Sequence, residues 1–460
     1  MWPPRDPYAL PSKEEIQEIE ADILQLEAEL VEARRVAALE SESGPAALEN
    51  DIFARKAWIA PIRRLPHETL SLILFELSID DWKAPLKLQG VCRLWRNILL
   101  DTPVAWSFIN LDEEDEEPDP DIISKFLERS RNASMHIHVF HESAPSILGQ
   151  AISLKKKIRC LHIGIWAIDA LMSEHNDFSE LELLFLSCEE SDEVDENKGH
   201  QFDMIRLFPK LQTLWLGGDQ VVRMIASSPS VPAIRELNAT CDDPSSLSPF
   251  LKKCAGSVEK IFLFYGSNQP RYVEDEKIAF PVLQFLCLED WKPSYDANSW
   301  VFSGSTPTLQ CYVHLAEPSN HDRPSVGASL DPGNIRYLQV VEIPDLSLYP
   351  RLHSLVVPFL EDVEEIAKQL RQEPTTCPGL AFIICPSLNE EEEEDVIWEQ
   401  AKAILREHAE ITGRPIKLLG HQVENDPEFE KHFMNSRIYP SVEEDIFTFT
   451  WLPTHSCRVC

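Results

Sequence analysis

An α/β architecture is the fold class this chain predicts: N-terminal helices and a helical module, then an irregular repeat solenoid built on a parallel sheet. Three observations predict it. Apolar residues recur ten times in the pattern 0, +3, +5 between Ile158 and Cys385. A proline stands two residues ahead of six of those recurrences. The segment before residue 110 instead carries apolar spacings of 3 and 4, the period of a helix.

Composition limits what the chain can do. Its 460 residues exceed the span of one ordinary core, so more than one structural unit is expected. Hydrophobic content of 43% suits a folded protein. A formal charge of −35 argues against nucleic acid and anionic membranes as partners. Much of that charge is local, in Asp112–Asp121, Glu189–Glu196 and Glu390–Asp395, which carry eight, six and six acids. Each run reads as a solvated loop. No stretch approaches the ~20 apolar residues of a membrane span, and the N-terminus lacks a secretory signal. A cytoplasmic or nuclear location is therefore expected. In such a reducing compartment the eleven cysteines read as small core residues, not as a disulfide framework. The sequons at Asn132 and Asn238 are discounted for the same reason.

Residues 1–58 form an N-terminal helical segment. Ser12 can cap a helix over residues 12–41, with Glu14 and Glu15 at the positive end of its dipole. Ile16, Ile19, Ile23, Leu26, Leu30, Ala33 and Ala37 make a heptad seam. Two arrangements satisfy that seam: a coiled-coil homodimer through residues 12–41, or a helix folded against its own chain. Gly44-Pro45 breaks the helix, and Ala46–Trp58 resumes it.

Residues 59–110 follow as a compact helical module. Leu65-Pro66 opens it, and Leu70, Ile73, Leu74 and Leu77 supply an apolar stripe. Val91-Cys92-Arg93-Leu94-Trp95-Arg96 and then Pro103 with Trp106 complete it. So short a module carries more large apolar groups than it can bury alone, and surplus apolar surface is expected to dock on a partner. In order and spacing these elements resemble the F-box, the docking module of substrate receptors in cullin-based ubiquitin ligases. The resemblance implies that Leu65, Pro66, Ile73, Leu74, Leu77, Val91, Cys92, Trp95 and Trp106 face a Skp-type adaptor, which joins a cullin scaffold and its RING-bearing arm. Two departures stand out: Trp82 replaces a smaller apolar residue, and Pro85 lies ahead of the third helix.

An acidic linker, residues 111–121, leads to the solenoid at 122–420. Ile122–Arg131 reads as an amphipathic helix and Met135–Phe140 as a strand. Successive recurrences then start 17 to 30 residues apart, centred near 25. Proline lacks an amide donor, so its place two residues before position 0 marks the run-in to a strand. The region resembles the leucine-rich repeats of fungal F-box proteins. It departs from them three residues beyond +5, where Trp166, Glu189, Asp219, Asp242 and Gly266 stand in place of the usual asparagine. An irregular curvature is expected. Residues 421–460 form a tail.

If +3 and +5 face the core, strand alternation sends +2, +4 and +6 to the opposite, concave face. Phe185, Trp215, Phe262, Phe264, Phe285 and Tyr337 occupy those positions. Aromatic clusters of that size mark interaction sites, so this wall is the expected contact for a protein substrate. The competing expectation is that loops, or the apolar Ile446–Leu452 of the tail, cover it.

No enzyme chemistry is expected. The chain has no glycine-rich phosphate loop, no His-Glu-x-x-His and no Gly-x-Ser-x-Gly elbow. Asp80-Asp81 lack a neighbour that would raise a carboxyl pKa. His136, His138 and His141 could sit near one another on a strand but have no converging ligands elsewhere, so they read as structural. Cys457-x-x-Cys460 is half a zinc spacing at a chain end and reads as incidental. No metal and no cofactor are expected. The resemblance thus implies a non-catalytic substrate-recognition subunit of an SCF-type ligase. The alternative is an adaptor-bound scaffold or coiled-coil interaction protein that directs no degradation.

Overall fold

The computed structural model describes residues 10–40, 45–111, 119–140, 144–154, 157–167, 178–188, 203–242, 244–265, 278–290, 305–316, 330–340, 343–385 and 392–419. The chain divides into two compact units, Met1–Trp106 and Ser107–Cys460.

In the first unit, α1 (Lys13–Glu40) and α2 (Pro45–Ile59) form a hairpin. Ser12 and Glu15 build a reciprocal capping box. The Glu15 amide donates to Ser12 Oγ at 3.2 Å, and the Ser12 amide donates to Glu15 Oε2 at 2.8 Å. The heptad seam finds its partner within the chain: Ile19 and Ile23 are buried with Ile52 and Trp58, and Leu26, Leu30 and Ile59 pack against them. This corrects the coiled-coil alternative, because a second copy could use that seam only by displacing α2. Ion pairs Arg55–Asp22, Lys56–Glu27 and Arg34–Glu49 cross between the helices. From the Arg34–Glu49 pair to the Glu27–Lys56 pair residue numbers fall along α1 and rise along α2, so the two run antiparallel.

The helical module comprises α3 (His67–Asp80), α4 (Ala84–Leu88) and α5 (Arg93–Leu100) with short 3-10 turns at Pro61–Arg64 and Pro103–Trp106. Its core is Leu70, Leu74, Trp82, Ile98, Leu99 and Trp106. The Trp106 indole N–H donates to Leu99 O at 2.8 Å, which satisfies the polar edge of a fully buried ring. Pro85 sits in the first turn of α4, where a missing amide donor costs nothing, and Trp82 is core. Both departures from the motif are thereby accommodated.

The second unit is a thirteen-stranded parallel sheet whose strands follow sequence order from β1 to β13. They are β1 (Phe108–Leu111), β2 (Met135–Val139), β3 (Ile158–Gly164), β4 (Leu183–Ser187), β5 (Thr213–Gly217), β6 (Glu236–Cys241) and β7 (Lys260–Tyr265). Then come β8 (Phe285–Asp290), β9 (Cys311–Ala316), β10 (Tyr337–Gln339), β11 (Ser354–Val356), β12 (Phe382–Ile384) and β13 (Lys417–Leu419). The ten recurrences are β3 to β12 in register. One row of +3 residues runs Leu161, Leu184, Leu214, Leu237, Ile261, Leu286, Tyr312, Leu338, Leu355, Ile383, and every member is buried. Sequential parallel pairing with each strand beside the next is the solenoid arrangement.

Two features differ from the sequence expectation, and one strand has no recurrence of its own. The sheet starts at Phe108, before the acidic linker and not at residue 122, because Phe108–Leu111 pairs in parallel with β2. It ends one strand later than the last recurrence, at β13. The acidic run at Glu390–Asp395 is not wholly a loop, since a helix spans Glu392–Thr412. Residues 112–118 and 189–196 of the other two runs, His141 and Cys457–Cys460 lie outside the described residues.

At the position where repeats usually place asparagine, Asp219 Oδ1 accepts from the Asp242 amide at 2.8 Å, linking equivalent points of neighbouring repeats. Gly218, just before it, has φ +95°, and an added Cβ would meet Cys188 O at 3.1 Å. Cysteines serve as small core groups: Cys160, Cys241, Cys254, Cys287, Cys311, Cys377 and Cys385 are buried. The Cys377 thiol donates to Leu346 O at 3.0 Å.

Candidate docking surfaces

The apolar stripe of α3 resolves into two rows. Leu70, Leu74 and Ser78 fall at i, i+4, i+8 and face inward. Ile73 and Leu77, one flank over, remain 37% and 41% exposed. The stripe is wider than the small module can cover, as its surplus of apolar residues requires. Pro66, Val91 and Cys92 are also exposed, and Leu65 and Trp95 are half-buried. Two residues assigned to adaptor contact are misassigned. Leu74 and Trp106 are 0% exposed, held inside by the Leu99 contact and the α3 core, so they act on a partner only by shaping the module. Leu72, Leu94 and Val104 are exposed apolar residues that sequence reasoning did not single out. Leu94 was legible, since it lies inside the Val91–Arg96 segment beside an already chosen tryptophan.

In the second unit the face opposite the core row carries its own aromatic ladder. Phe108 stacks on His136 at 4.8 Å, His138 meets His162 at 5.0 Å, and His162 stacks on Phe185 at 5.4 Å. Phe185 then meets Trp215 at 5.7 Å, and Phe140 packs edge-on against Phe185 at 5.6 Å. The pairing explains the ladder: His138, His162, Phe185 and Trp215 are register partners across β2 to β5. His136, His138 and His162 were missed as members of this face. The alternation of Met135–Phe140 already placed the first two opposite Ile137 and Val139.

The six aromatics expected on an open wall split into two groups. Phe185, Trp215, Phe262 and Tyr337 are half-buried, whereas Phe264 and Phe285 are both only 1% exposed. Phe264 and Phe285 are therefore not available to a substrate. Phe285 belongs to a dry cluster with Cys287, Cys311 and Val313, against which Phe262 and Tyr337 pack. A second cluster, Val356, Phe382 and Ile384, again takes Tyr337 at its margin. Between the aromatic stretch at β2–β5 and these clusters lies a polar interval on β6 and β7, with Glu236, Asn238 and Lys260.

Electrostatics follow burial. Desolvation, reinforced by His138 and His136, holds the His162 imidazole well below its ordinary pKa. Burial alone pushes His314, at a +5 core position, down to about 4. Burial raises the Cys254 thiol to about 12, so it is inert. Among the described residues no group of three or more His, Cys, Asp or Glu side chains is placed to hold a metal ion. No described helix is long and apolar enough to cross a membrane. No protein-family model matches the sequence, and no curated protein matches it.

Proposed function

We propose that the chain is a substrate-recognition subunit of an SCF-type cullin-RING ubiquitin ligase, non-catalytic in itself and working in the cytoplasm or nucleus. The helical module would bind a Skp-type adaptor, and through it the cullin scaffold. The repeat unit would hold a protein substrate, of unspecified identity, at the half-buried aromatics Phe185 and Trp215. Such a subunit accelerates ubiquitin transfer by raising the effective concentration of a substrate lysine near the charged carrier. The single observation that supports this reading best is the second apolar row of the module. Pro66, Ile73, Leu77 and Val91 stay exposed at the motif positions that the F-box resemblance assigns to adaptor contact. Surplus apolar surface at those positions is what an adaptor would cover.

The test is capture of a purified Skp-type adaptor by the full chain. Replacing Leu65-Pro66 by Ala-Ala, or Trp95 by Ala, is expected to abolish capture while the sheet keeps its circular dichroism and melting transition. Equal capture by both variants would remove the adaptor assignment.

A further inference from the structure

With its heptad seam filled by α2, the hairpin still carries an unpartnered face. Leu24 and Val31 are each 69% exposed and Phe53 is 74% exposed. Leu24, Glu27, Val31 and Arg34 follow one another at i, i+3, i+7, i+10, so they share one side of α1. Glu49, Phe53 and Lys56, at i, i+4, i+7, share one side of α2. The two sides are the same side of the hairpin, because Lys56 Nζ lies 2.6 Å from Glu27 Oε1 and Arg34 lies 2.6 Å from Glu49 Oε1. Phe53 sits between those two rungs, level with Val31.

The four charges form a checkerboard. On α1 the anion is Glu27 and the cation Arg34. On α2 the anion is Glu49 and the cation Lys56, and each rung joins unlike charges. A checkerboard of this kind is complementary to itself under a twofold axis lying in the face either along or across the helices. An axis along the helices sets Glu27 against the partner subunit's Lys56, and Arg34 against the partner subunit's Glu49. An axis across them sets Glu27 against the partner subunit's Arg34. In either case the apolar groups meet apolar groups, the condition for an isologous interface. The patch is also neutral within a chain of formal charge −35, where most surface would repel a second copy. Helices of 28 and 15 residues present a face of roughly 600 Å², about what each partner contributes to a small dimer interface.

We propose that this face, carrying Leu24, Val31 and Phe53 within the Glu27–Lys56 and Arg34–Glu49 rungs, docks a second copy of the same chain to form a twofold dimer. It is independent of adaptor binding and of the heptad seam. Sedimentation equilibrium of the full-length protein reads it directly. The wild-type mass should double as concentration rises, and Phe53→Asp and Val31→Glu should each hold the protein at monomer mass with unchanged helicity, both side chains being exposed. A variant with the rung inverted, Glu27→Lys with Lys56→Glu, keeps its internal ion pair and reads the axis. With the axis along the helices it should still self-associate but form few mixed dimers with wild type, and with the axis across them it sets like charges together and should stay monomeric. Wild type that stays monomeric throughout, or a dimer that survives Phe53→Asp and Val31→Glu alike, would overturn the proposal.

Discussion

The module at α3–α5 and the sheet at β7–β12 both carry more apolar side chains than one core face requires, and they dispose of the surplus in opposite ways. In the module, Ile73, Leu77, Val91 and Leu94 remain at the surface. On the sheet, Phe285, Cys287, Cys311, Val313, Phe382 and Ile384 are buried on the face opposite the main core. Size explains the contrast. A module of some forty residues has too little chain to cover a second apolar row, whereas in the sheet Phe262 and Tyr337 on neighbouring strands pack against Phe285, Cys287, Cys311 and Val313. An apolar residue left exposed by so small a unit therefore says more about a partner than one in a long array.

Charge placed in the sheet core should have the largest effect. Leu214→Asp or Leu286→Asp would bury an unpaired carboxylate among fully buried neighbours, at a cost on the order of 5 kcal/mol or more. Loss of the repeat unit's cooperative melting is the expected outcome, and a native-like transition would break the assignment of +3 to the core.

Within the module, truncation should separate the two rows of α3. Leu74→Ala is expected to destabilise it by about 2–5 kcal/mol, with a comparable loss for Trp106→Ala. Ile73→Ala and Leu77→Ala should each cost less than about 1 kcal/mol, because their side chains already meet water. Chemical denaturation of the four variants measures the difference. Similar losses at all four positions would mean that the module has no spare apolar row.

A smaller contrast is expected across the sheet's second face. Phe285→Ala removes a ring from a dry cluster and should cost about 3–5 kcal/mol, while Phe185→Ala, half-buried, should cost clearly less. If Phe185→Ala also leaves stability nearly intact but weakens substrate capture, the division between covered and available aromatics is sharpened.

Acid should act on the repeat unit most gently. His162 and His314 are depressed by burial below the 6.5 of a free imidazole. The folded state therefore takes up fewer protons than the unfolded one as pH falls below 6.5. The stability that His314 contributes is complete above 6.5 and is lost between there and about 4, and that of His162 is lost in the same direction as pH falls. Each such group contributes a slope of up to about 1.4 kcal/mol per pH unit. The melting temperature of the repeat unit should fall between pH 7 and pH 5, and His314→Leu should flatten that slope. An unchanged slope in the variant would deny His314 its buried, neutral state.

Much of the repeat unit was legible because its signal is repeated. Ten recurrences in phase fix both strand positions and the inward row, and prolines such as Pro209 and Pro281 mark where each strand begins. Lone elements were harder to find. Phe108–Leu111 has one alternation and no proline, and it follows a helical motif, so it read as the motif's end. Lys417–Leu419 is too short to show a period. The heptad seam of α1 was plain, but its partner was not, since spacing states only that a seam must be covered. Among the site residues, motif identity named Ile73 and Leu77 together with Leu74 and Trp106. Only the turn of α3 and the Trp106–Leu99 hydrogen bond separate those that face out from those that face in. Phe264 and Phe285 were misplaced for a related reason: alternation gives the face but not what lies over it.

The most direct test of the module's role is the affinity of the full chain for a purified Skp-type adaptor, measured by titration calorimetry for wild type and for Ile73→Asp with Leu77→Asp. Both positions are exposed, so the double variant should melt like wild type. The account predicts tight binding by wild type and at least a hundredfold weaker binding by the variant, a difference of about 2.7 kcal/mol. No heat with wild-type protein, or equal affinity in the two, would contradict it.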